Sequence, residues 1–223
     1  MKLTAKILLL LAIISLTACN DQDDPGPSNS VCTTMVTYDG ERPGLGLTFS
    51  YTMEDQGSDR TVNLWCNASF KEEIPAGTRL VLSYRYAEGG SFPDNGQIEI
   101  YSAQKAYTAE LATIDAAPAV TSLAPIGVNV LVRSGRYIDL WCRLALVTGR
   151  EFTIELDAST ENTANPTLYI STTVPEDKPT GYATNYAASF DVGEVWDNPA
   201  TQTLTVKINN STNPRYSTFN FTK

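Results

Sequence analysis

The chain has 223 residues, 42% of them hydrophobic and 18% charged, with a formal net charge of -9 and no histidine. Such a chain can bury the core of one large or two small domains. The missing histidine excludes Ser-His-Asp and Cys-His catalytic centres, HExxH zinc sites and every other histidine-ligated metal. The acidic balance excludes a nucleic-acid partner held by clustered Lys and Arg.

The first elements are a leader and a tether. Lys2 and Lys6 form a basic segment ahead of an apolar run from Ile7 to Leu16, interrupted only by Ser15. A helix across a bilayer core of about 30 Å needs about twenty residues, so this shorter run predicts a signal peptide over residues 1–18. Leu16-Thr17-Ala18-Cys19 resembles a lipobox. The resemblance implies cleavage before Cys19 and a diacylglycerol, with palmitate-type chains, on its thiol. The plainer alternative is an ordinary signal peptide with an incidental cysteine. Each buried methylene contributes about 0.8 kcal/mol, so two or three acyl chains would anchor the protein without a spanning segment. Residues 19–30 then read as a solvated tether, rich in Asp, Asn, Pro and Gly. Its acidic block, with Asp21, Asp23 and Asp24, resembles the export signal of Bacteroides-group lipoproteins. That implies an outer-membrane protein facing outward; the alternative is a linker with chance acidity.

Beyond residue 30 the chain reads as strands. Period-two runs are bounded by Gly, Pro, Asn and Asp, and no long segment carries a helical stripe. Expected strands are 32–38, 45–53, 61–70, 78–87 and 96–107. In the third, Val62, Leu64, Cys66, Ala68 and Phe70 share one face, and Asn63, Trp65, Asn67 and Ser69 the other. Five strands in so short a span fit a small barrel or sandwich. The Ala-rich stretch 108–118 predicts one or two helical turns, and Pro118 and Pro125 bracket a boundary between domains 31–117 and 118–223. Seven further strands, at 127–133, 135–147, 151–157, 167–174, 182–192, 202–209 and 217–222, suggest a β-sandwich.

The order of these features resembles the NigD-like lipoproteins. Gly77-Thr78-Arg79-Leu80-Val81-Leu82-Ser83-Tyr84 is similar to that family's glycine-led strand near the end of the first domain. Gly96-Gln97-Ile98-Glu99-Ile100 and Tyr107-Thr108-Ala109-Glu110-Leu111 look like the strand and short segment that follow. Tyr137-Ile138-Asp139 stands for a Tyr-Leu-Asn element, and Ser189-Phe190-Asp191-Val192 matches an element near the family's C-terminus. The chain departs from the pattern at Gly149 to Ile154, where the family's strand carries a histidine and this one does not. The resemblance implies an all-β protein, an N-terminal OB-like five-stranded barrel followed by a C-terminal β-sandwich. It implies no enzyme activity and no cofactor.

Few residues carry chemistry. With Cys19 committed to lipid, Cys32, Cys66 and Cys142 allow at most one internal bridge. Cys66 and Cys142 share a Leu-Trp-Cys context, and a bridge between them would contribute about 4.5 kcal/mol in the chain-entropy model. The alternatives are a Cys32–Cys66 bridge or buried, reduced thiols. Glu99, Asp139, Glu155, Asp157, Asp191 and Glu194 are the candidate carboxylates for a glycoside hydrolase, but no spacing singles out a pair. Residues 54–59 lack the acid order of a calcium loop and read as a hairpin; no metal site is expected. Trp65 and Trp141 fall on the polar faces of their strands, either as flat platforms for a sugar ring or protein side chain, or covered by a neighbouring domain. The expected function is non-enzymatic: a membrane-anchored binding or adaptor module for a glycan or envelope protein. The alternative is a structural or protective component of a secreted-peptide or surface assembly system.

Overall fold

The computed structural model describes residues 30–55, 57–87, 90–147, 149–173 and 182–223. Cys19, Asp21, Asp23 and Asp24 lie outside the described residues, so the lipid and export readings rest on sequence. The chain is all-β and forms two compact units that meet in sequence at Ala106 and Tyr107.

In the first unit, strands β1 (Cys32–Arg42), β2 (Gly46–Asp55), β3 (Ser58–Cys66), β4 (Arg79–Tyr86) and β5 (Gly96–Lys105) close a barrel in the order β1-β2-β3-β5-β4. This is the OB-like arrangement. Register makes the core: Leu47 faces Cys66, Phe49 faces Leu64 and Tyr51 faces Val62 across β2 and β3. Across β1 and β4, Val36 faces Leu80 and Cys32 faces Tyr84. Because side chains alternate along a strand, one register places a whole set of apolar residues inside. The seam between β3 and β5 is parallel and only two residue pairs long, Leu64 with Gly96 and Trp65 with Gln97.

The third strand stops at Cys66 rather than Phe70. The Ala68 N–H donates to the Cys66 carbonyl at 2.9 Å, which turns the chain out of the ladder. Phe70 folds back edge-on to Tyr38, ring centres 5.4 Å apart. At the other end of β3, Glu54 pairs with Asp59 and Asp55 with Ser58, so β2 and β3 make the expected hairpin.

The second unit holds β6 (Leu111–Ile114), β7 (Gly127–Ser134), β8 (Tyr137–Ala145), β9 (Glu151–Asp157), β10 (Thr167–Thr173), β11 (Ala183–Asp191), β12 (Thr203–Ile208) and β13 (Thr218–Thr222). One sheet runs β13-β12-β10-β9-β6 and the other β11-β8-β7. Leu140, Cys142 and Phe190 from the smaller sheet and Ile154, Leu168 and Val206 from the larger belong to one buried cluster. Two sheets sharing one core make a sandwich.

The Ala-rich stretch corrects the sequence reading: it contains no α-helical turn, and residues 111–114 form β6. Leu111 pairs in parallel with Ile154 and packs on the core, and the Ala158 N–H donates to the Ile114 carbonyl at 2.9 Å. Burial of Leu111 and a ladder partner outweigh alanine's helix preference. Tyr107 is tied to the second unit at both its backbone groups: it donates to Ala187 at 2.9 Å and accepts from Ser189 at 2.8 Å. The boundary between units therefore lies at 106/107, ahead of the 117/118 that Pro118 suggests.

Candidate functional site

Cys66 and Cys142 do not form the bridge considered from their matching contexts. Both are free thiols, Cys66 within the barrel core and Cys142 within the sandwich core. Each stands where a small apolar residue would. Burial pushes the Cys66 thiol up from its ordinary range, and pushes that of Cys142, which is 0% exposed, up to about 12. Thiolate is the reactive form, so neither side chain is poised to react. Titration of the native protein with a disulfide reagent is expected to leave Cys66 and Cys142 unmodified until denaturant is added. Modification of both at the rate of an exposed thiol would contradict this placement.

Four of the six carboxylates singled out for hydrolysis, Glu99, Asp191, Asp139 and Asp157, are engaged with other groups. Glu99 holds Arg85 at 2.6 Å. Asp191 holds Arg136 at 2.8 Å and accepts from the Gly193 N–H at 2.9 Å. Asp139 is buried and accepts from the Ser189 hydroxyl at 2.6 Å. Asp157 accepts from the Ser159 hydroxyl at 2.6 Å. Glu155 pairs across β9 with Tyr169, and Glu194 lies in the first turn of a short helix, Gly193–Trp196. Among the described residues, no three Cys, Asp or Glu side chains gather closely enough to hold a metal ion.

The two tryptophans sit in different surroundings. Trp141 is half-buried in the central strand of the small sheet, paired with Val130 and Ala187. Trp65 is half-buried in β3, between Thr48 of β2 and Gln97 of β5. It lines a cleft of about 460 Å³, together with Arg42, the Gly44-Leu45-Gly46 turn, Asn67 and Gln97. That volume lies within the range of small-ligand sites.

The chain builds this cleft from local rules. The β1–β2 connection is a tight turn in which the Leu45 N–H donates to the Arg42 carbonyl at 3.1 Å. Gly44 and Gly46, on either side of Leu45, have φ of +80° and +75°, the left-handed region that glycine adopts at little cost. A Cβ on Gly46 would run into the Cys66 carbonyl oxygen and the Asn67 backbone, so only glycine lets the turn lie this close to the end of β3. Leu45 is left 40% exposed at the rim. Arg42, Asn67 and Gln97 are exposed. Behind them the Thr48 hydroxyl donates to the Gly40 carbonyl at 2.7 Å, fixing the start of β2. The result is an aromatic ring, an aliphatic side chain, two amides and a guanidinium around one concavity.

Of these residues the sequence pointed to Trp65 alone. The Arg42-Pro43-Gly44-Leu45-Gly46 turn, which overlaps the start of the predicted strand 45–53, was the available signal for its companions, because OB-like barrels bind through the loop joining their first two strands.

The class that fold and cleft define is a two-unit, all-β protein with an OB-like barrel ahead of a sandwich. No family model matches the chain, and no curated protein matches it. Solved structures do. A protein of unknown function from Bacteroides vulgatus ATCC 8482 is 12% identical, with a TM-score of 0.60 over 87% of this chain and 90% of that one. A candidate lipoprotein from Bacteroides fragilis NCTC 9343 is 14% identical, with a TM-score of 0.56 over 88% and 97%. A NigD-like immunity protein from Bacteroides caccae ATCC 43185 is 18% identical, with a TM-score of 0.52 over 88% and 94%. What is shared at these identities is the fold, and the NigD-like resemblance of the strand motifs holds at that level.

Proposed function

We propose that the protein is a non-enzymatic lipoprotein of the outer membrane, anchored through Cys19 and facing outward, which binds a glycan in the Trp65 cleft. The cleft carries this reading. A half-buried indole offers a flat face to a sugar ring, and Asn67 and Gln97 offer paired donors and acceptors for its hydroxyls. The position is the one OB-like barrels use for oligosaccharides. The lipobox and the acidic block at Asp21, Asp23 and Asp24 support the address, and the lipoprotein name of the Bacteroides fragilis structure agrees with it. Trp141 is left with a structural role in its sheet.

The name of the Bacteroides caccae structure favours a second reading, a protective component that engages a secreted peptide or envelope protein. One experiment separates the two. Full-length protein in detergent is titrated with an oligosaccharide panel by calorimetry, alongside Trp65→Ala and Trp141→Ala. Glycan binding that weakens about tenfold or more in Trp65→Ala and is unchanged in Trp141→Ala is the expected result. No response to any glycan, with one protein recovered by crosslinking on intact cells, would favour the second reading. Anchorage is tested by the mass of the native N-terminal peptide, which must carry the diacylglyceryl increment at Cys19.

A further inference from the structure

We propose that the Trp65 cleft selects a carboxylate-bearing saccharide, such as a uronate oligomer, and that Arg42 is the residue that selects it. This deepens the binding role argued above and rests on it. Among the described residues, Arg42 is the only charged one lining the cleft, in a chain whose formal charge is -9. Its guanidinium makes no hydrogen bond or ion pair among the described residues, and the Asn67 and Gln97 side chains make none either. All three are exposed. Burial raises the Asp39 carboxyl above the usual carboxylate range, and the Ser50 hydroxyl and the charge of Arg42 only partly oppose that rise. Asp39 is already occupied, since the Ser50 hydroxyl donates to it at 3.0 Å, and it does not line the cleft.

A planar guanidinium with nothing else to hold matches a planar carboxylate through two parallel N–H donors. Trp65 supplies the stacking face below a sugar ring, and the amides answer its hydroxyls. A neutral sugar would use the indole and the amides and leave the guanidinium idle. An acid sugar uses all of them. The protein's net negative charge opposes an anion at a distance, but salt screens such charges beyond about 8 Å. Within the cleft the nearest charge is therefore the positive one.

The test uses the full-length protein in detergent, with trigalacturonate and trimannuronate as probes, each beside its fully methyl-esterified form. Esterification removes the charge and keeps the ring and its hydroxyls. The acids are expected to bind about tenfold tighter than their esters. Arg42→Gln should bring acid and ester to about equal affinity without weakening the ester, and Arg42→Lys should restore part of the preference, because it keeps the charge but not the fork. Trp65→Ala should weaken both forms. Because Arg42 is exposed, its variants are not expected to disturb folding. Equal binding of acid and ester by the unaltered protein, or binding of neutral oligosaccharides alone, would overturn the choice of ligand and leave the binding role intact. No binding of either class would overturn both.

Discussion

Gly46→Ala is expected to lower the unfolding free energy of the barrel by about 3 kcal/mol, while Gly44→Ala, two residues away, costs about 1 kcal/mol. Both glycines have a positive φ, so each substitution strains the backbone similarly. They differ in what the new methyl group meets. At Gly44 nothing lies within 4 Å, whereas at Gly46 the methyl falls on the Cys66 carbonyl and the Asn67 backbone. Backbone atoms of a barrel strand cannot swing aside as a long side chain can. Relief must come from shifting the β1–β2 turn, which also displaces Leu45 and Arg42 at the cleft. Denaturant melts of the two variants check the difference. Equal losses would mean that the close approach of the turn to β3 is not structurally important.

The second large effect is a loss of stability in alkali. Burial holds the Cys142 thiol neutral up to about 12, whereas its ordinary value is 9.0. In the unfolded chain the thiol ionises from about pH 9, and in the folded chain it cannot until about pH 12. The stabilisation is therefore complete below pH 9 and is lost progressively as pH rises from 9 to 12, about 4 kcal/mol in all. Arg150 opposes the shift with its positive charge but does not outweigh the burial. Tyr51 and Tyr84 in the barrel core are also pushed up by burial, so that unit loses stability above the ordinary tyrosine range as well. Comparing Cys142→Ala with the unaltered protein isolates the thiol. Between about pH 8 and about pH 10.5, under reducing conditions, the variant should lose about 2 kcal/mol less than the parent. Identical pH profiles would mean that the thiol is hydrated in the folded state.

The parts of the fold that were legible in the sequence follow period-two alternation. Val62, Leu64 and Cys66 face inward as their spacing requires, and residues 151–157 form a strand with the bounds read from the sequence. What was illegible depends on partners distant in the chain. Residues 111–114 are a strand because Ile154 and its neighbours lie alongside, and the four residues Leu-Ala-Thr-Ile are too few to carry a readable alternation of their own. Phe70 continues the apolar phase of β3 but is turned out of the ladder by a single hydrogen bond at Ala68. The cleft divides the same way. Trp65 is conspicuous as an aromatic residue on a polar face, whereas Arg42 and Gln97 reach it only because the barrel closes.

The brevity of the seam between β3 and β5 has a mechanical consequence. Trp65 and Gln97, one of its two residue pairs, also line the cleft. A guest that grips both side chains would act as a clasp across the thinnest join in the barrel, so occupancy and resistance to unzipping would rise together, by mass action on the closed form.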